Sequence, residues 1–192
     1  MKNWWKMLPL AIYPYGYLLW LTLAVMGESL TEGNDFMAEQ FASLFGDRFV
    51  LAFVIYHILV LADIVYSIVC CVRGTWSVSE CAKLNLFIKA IQIPAYIFHF
   101  LMGFIGFCMG IFGIGFLAFA ICIDLLTIIL TGLNSIGCAI SLKKHQIFGG
   151  FGAVLFGIGS FVYCVDVVAA IVAVIQCGKN KKISCISSQH TI

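Results

Sequence analysis

Charge is what this sequence has least of. Asp, Glu, Lys and Arg make up 10% of its 192 residues and hydrophobic residues 62%, with a mean hydropathy of +1.07. A soluble domain carries roughly 25% charged residues and about 45–50% apolar ones. The deficit excludes a soluble enzyme, a disordered chain and a nucleic-acid-binding domain together. The net charge of +2 points to no electrostatic partner. Chemical signatures are also missing: the chain has no His-Glu-x-x-His, no Gly-x-Ser-x-Gly, no phosphate-binding glycine loop and no Cys-x-x-Cys. No catalytic residue, cofactor or metal is therefore expected, and enzyme chemistry has no support. Most of the nine cysteines fall in or beside apolar stretches, where a free thiol behaves as a small hydrophobe.

What is present is a series of apolar runs. A helix crossing a bilayer needs about 20 mostly apolar residues. Crossings are expected at about 7–26, 49–72, 86–110, 115–140 and 147–176, an all-α polytopic bundle of five helices in one membrane domain. Pro9 and Pro14 sit in the first turns of the first run, where missing amide donors cost least. Pro94 kinks the third helix and frees a carbonyl one turn back. The glycines at 110, 113 and 115 mark the turn into the fourth helix. Ser77-Val-Ser-Glu80 reads as a capping box that opens the third.

Charge asymmetry orients the bundle. Glu28, Glu32, Asp35, Glu39 and Asp47 crowd one loop, while Lys2, Lys6, Arg73, Lys83, Lys143 and Lys144 lie on the other side. The positive-inside rule puts the N-terminus and the basic loops in the cytoplasm and the acidic loop outside. Within the acidic loop, Met37, Phe41, Leu44 and Phe45 share a face of a short amphipathic helix expected to lie at the outer headgroups. Five crossings, however, leave Lys179, Lys181 and Lys182 outside. One alternative is a re-entrant half-helix over 147–158, which returns the tail to the cytoplasm. It is prompted by an echo between Phe112-Gly-Ile-Gly115 before Asp124 and Phe156-Gly-Ile-Gly159 before Asp166. Another takes residues 1–27 as a cleaved signal peptide.

The informative residues are the ionisable ones inside the runs. Asp63, Asp124 and Asp166 are joined by His57 and His99, and Lys89 lies near the cytoplasmic start of the third helix. An Asp at a helix centre costs roughly 2.5–3.5 kcal/mol on insertion scales, so such groups turn inward and find partners. Counting from the outer helix ends, His57, His99, Asp124 and Asp166 all fall about 12–15 Å down. One reading is a buried Asp/His proton or cation site in a small transporter. The other is a set of separate structural hydrogen bonds to nearby Tyr, Ser and Thr. Small residues four apart, Gly106 with Gly110 and Gly149 with Ala153 and Gly157, read as packing seams within the chain or toward a second copy or membrane partner.

Three segments of the third and fourth helices, Lys83-Leu-Asn-Leu-Phe-Ile-Lys89, Ile93-Pro-Ala-Tyr-Ile97 and Asp124-Leu-Leu-Thr-Ile-Ile-Leu-Thr-Gly132, resemble a family of small bacterial multi-pass membrane proteins with no assigned activity. The similarity is best over 80–145. It implies a bacterial cytoplasmic membrane and brings no catalytic residues with it. Two functions are carried forward: a small proton- or cation-handling transporter, and a non-transporting accessory or assembly subunit.

Overall fold

The computed structural model describes residues 4–19, 39 and 47–189. Among the described residues the regular elements are all helical. A 3-10 turn, Trp4–Met7, leads into α1, Leu8–Ala11, and residues 13–19 continue as helix after a bend at Ile12. Three long helices follow: α2, Asp47–Arg73; α3, Val78–Cys108; and α4, Ile114–Lys144. Two shorter elements close the described chain: α5, Gly150–Gly159, and α6, Val165–Gln189.

Among the described residues, three helical stretches are long and apolar enough to cross a bilayer: Val50–Arg73, Val78–Cys108 and Gly110–Lys144. At most a third of each one's most apolar stretch is buried inside the protein. Phe100, Phe107 and Phe112 stand 66%, 73% and 90% exposed, an apolar surface that only lipid tolerates. The helical membrane architecture therefore stands, with three such helices rather than five. Of the run at 7–26, residues 7–19 are described. The amphipathic helix expected around 37–45 lies outside the described residues apart from Glu39, which is helical and exposed.

The run at 147–176 is not one helix. Ser160 turns its hydroxyl back onto the Phe156 carbonyl at 2.8 Å, and the chain bends through 160–164 to Cys164 at φ +64°. Nothing in the local sequence forbids a continuous helix there; tertiary contacts break it. The Phe161 ring lies over Gly132 of α4, where an added Cβ would meet it at 2.6 Å. Asp166 then pairs with Lys89 of α3, and further on Cys177 comes within electrostatic reach of Cys81. Going from 166 to 177 thus retraces α3 from 89 back to 81. The pair α5–α6 is a hairpin that enters beside Lys144 and returns to the same end. Lys179 follows at that end, with Arg73, Lys83, Lys143 and Lys144.

The other joints follow local chemistry. Ser77 caps α3: its hydroxyl accepts from the Glu80 amide at 3.3 Å, and the Glu80 carboxylate accepts from the Ser77 amide at 3.0 Å. Gly74, at φ +75°, ends α2 in a conformation that side chains resist. Helix α3 starts eight residues earlier than the apolar run, because a polar cap and Lys83 are tolerated in a first turn outside the hydrocarbon. Between α3 and α4, Gly110 turns at φ +63°. Gly106 and Gly113 let the two backbones meet, and a Cβ on Gly113 would fall 1.9 Å from the Gly106 carbonyl oxygen. Gly106 therefore serves an intrachain contact and Gly110 a turn.

Candidate functional site

Helix α3 carries its polar groups on one stripe. Asn85, Lys89, Gln92, Tyr96 and His99 recur every three or four residues and are all buried. Facing them on α4 are Asp124, Thr127, Thr131, Asn134 and Ser135, of which all but Asp124 are fully buried. The helices run antiparallel, so early residues of one meet late residues of the other. The Ser135 hydroxyl lies 2.9 Å from Asn85 Oδ1 and 2.8 Å from the Thr131 carbonyl, its one proton shared between them, and His99 Nδ1 lies 2.7 Å from Asp124 Oδ1. The result is a polar seam about 21 Å long between Asn85 and His99, at 1.5 Å per residue.

At one end of the seam is the His99–Asp124 pair. A carboxylate only accepts, so the His99 Nδ1–H donates to Asp124 and the free lone pair is left on Nε2. Nε2 is buried and has no hydrogen-bond partner. Asn85 Nδ2 and Asn134 Oδ1 are orphaned in the same way, and Ser141 Oγ has only the Cys81 thiol beside it. A buried polar atom without a partner costs about 1–3 kcal/mol, so the three on His99, Asn85 and Asn134 call for an explanation.

Midway along the seam, Lys89 Nζ and Asp166 Oδ2 form a fully buried ion pair at 3.0 Å. Asp166 also accepts from the Val167 amide at 2.8 Å and sits in the first turn of α6, where the helix end favours a negative charge. Tyr96 and Tyr163 bridge the two charged pairs. Their rings meet edge to face at 5.3 Å, and each lies within electrostatic reach of both Asp124 and Asp166.

His57 belongs elsewhere. Its Nδ1–H donates to the Phe53 carbonyl at 2.8 Å, and its one Nε2 lone pair lies 2.8 Å from the Tyr13 hydroxyl and 2.9 Å from that of Tyr17, which are themselves hydrogen-bonded at 2.8 Å. Both ring nitrogens are used, and the imidazole fastens the N-terminal segment to α2. Tyr56 adds a bond to the Pro9 carbonyl, Gln92 one to the Leu10 carbonyl, and the Tyr15 hydroxyl one to the Ile91 carbonyl in the turn before Pro94. Asp63 is also on α2, and its Oδ2 is buried without a partner.

The five residues singled out in the sequence thus fall in three places. His99 and Asp124 meet; Asp166 is held by Lys89, ten residues and about 15 Å along α3 from His99; His57 and Asp63 lie on α2. The common depth expected for Asp166 fails because it assumed a fifth crossing, whereas the hairpin brings Asp166 in from the opposite end. Sequence reading placed Lys89 too near the helix start and overlooked Asn85 and Gln92, although their three- and four-residue spacing to His99 was legible. Among the described residues no group of three or more His, Cys, Asp or Glu side chains is arranged to hold a metal ion. The chain matches no protein-family model, no curated protein and no solved structure.

Proposed function

We propose that this protein is a small transporter of the bacterial cytoplasmic membrane that moves protons along the α3–α4 seam. One observation carries the reading: unpartnered buried polar atoms are strung along this interface, with a His–Asp pair at one end. Groups that keep free lone pairs and N–H bonds in a low-dielectric interior have the chemistry of a proton relay. A hard cation is less suited, because such cations need several oxygen ligands together. In this reading α2, α3 and α4 cross the membrane, the N-terminal segment makes a fourth crossing, and α5–α6 re-enters from the cytoplasm. Both termini and the basic end then face inward, in keeping with the positive-inside rule.

A second reading, an accessory subunit, draws on the hairpin. Gly149, Gly150 and Gly157 stand in open space, and a shallow cleft of about 240 Å³ runs between α4 and α5 beside Ala153. A partner helix packs closely on such a surface. Reconstituted vesicles separate the two. Under an imposed pH gradient the wild type releases protons, and Asp124→Asn abolishes the release while its thermal midpoint in detergent stays within a few degrees. No release from the wild type, or equal release from the variant, rejects the transport reading.

A further inference from the structure

A cleft of about 310 Å³ opens between α3 and α4 next to the His99–Asp124 pair. This is the lower end of the range for small-molecule sites, about 300–1,000 Å³. The cleft extends from the pair toward the Gly110 turn, and its wall is almost wholly carbon. Phe100, Phe104 and Phe107 contribute aromatic faces from α3, Leu117 and Ile121 aliphatic ones from α4, and Tyr163 reaches in from the hairpin turn. One formal charge borders it: Asp124, 17% exposed. No lysine or arginine lines the wall, and Lys89 is taken by Asp166.

We infer that this cleft binds a lipophilic organic cation, with the Asp124 carboxylate as its counter-charge and the phenylalanine rings as its walls. An anion meets the wrong charge. A neutral lipid gives no account of a carboxylate beside an apolar wall. A metal ion finds one carboxylate and otherwise carbon, far from the six to eight oxygens that calcium needs. A cation with its charge spread over an apolar body satisfies every surface at once, because it keeps the carbon contacts, gains the ring faces and neutralises Asp124.

The groups facing Asp124 are His99 and Tyr96 on α3 and Tyr163 at the hairpin turn, with Lys89 and Asp166 cancelling each other further along. The binding does not rest on the proton-handling reading above.

Equilibrium dialysis of the purified full-length protein with tetraphenylphosphonium tests the proposal, with tetraphenylborate as the anion of the same shape. Saturable binding of the phosphonium alone is expected. Asp124→Asn lowers the affinity roughly tenfold or more, and Phe104→Ala by about two- to fivefold. If Asp124→Asn fails to fold, the discrimination of the wild type between the two ions and the Phe104 variant decide. Equal uptake of both ions, or unchanged affinity in the Asp124 or Phe104 variant, overturns the proposal. So does absence of phosphonium binding while proton release persists, which leaves the relay intact. Binding without any proton release upholds the site and rejects the relay.

Discussion

Two histidines among these helices, His57 half-buried and His99 fully buried, sit in opposite situations. His57 uses both ring nitrogens, fastening the N-terminal segment to α2 through Tyr13, Tyr17 and the Phe53 carbonyl. His99 uses one, toward Asp124, and keeps Nε2 free inside an interface where Asn85 and Asn134 also hold atoms in reserve. A histidine that is fully bonded holds a structure together; one with a free lone pair beside a carboxylate has a proton to exchange. The contrast teaches that two histidines among apolar helices can differ in how completely their ring nitrogens are bonded.

The comparison can be broken most forcefully at the ion pair between the two histidine regions. Lys89→Met or Asp166→Leu alone leaves a charge in a site that excludes water, and each is expected to cost about 3–5 kcal/mol. The double variant removes both charges and recovers most of that loss, as read from thermal unfolding in detergent. If the double variant is as damaged as either single one, the hairpin is held by something other than this pair.

A smaller effect sharpens the contrast itself. His57→Phe leaves the tyrosine hydroxyls without their shared acceptor and is expected to cost roughly 1–3 kcal/mol, with proton release at the wild-type rate. A loss of release out of proportion to the loss of folded protein would place His57 in the relay and erase the distinction.

The smallest predicted change in stability is the most pointed. Asn85→Leu replaces a half-satisfied amide by an apolar group of similar size, and Ser135 keeps its second bond to the Thr131 carbonyl. Such a replacement is close to neutral or stabilising, yet it interrupts the seam. A variant at least as stable as the wild type but slower in proton release is expected. An equally stable variant with an unchanged rate would show that the orphaned amide has no part in transport.

Much of this was readable in the residues. The capping box at Ser77, the turn at Gly110, the long apolar helices and the need of buried aspartates for partners all follow from local composition and spacing. The hairpin was open only as the re-entrant alternative over 147–158, because the run from 147 to 176 contains no proline and no run of charges. A helix that crosses and a helix that bends back are equally apolar, so hydropathy cannot separate them. The pairing of Asp166 was hidden for the same reason, since its depth depends on the end from which its helix enters.

The sequence alone determined that this chain forms long apolar helices of membrane-spanning character and that its buried charges cannot stand alone, because both follow from transfer free energies of single residues. Only the tertiary structure decided who meets whom: His99 with Asp124, Lys89 with Asp166, His57 with two tyrosines. Those choices depend on how each helix is rotated and how deep it sits, and close contacts such as Gly106 on Gly113 and Phe161 on Gly132 set both.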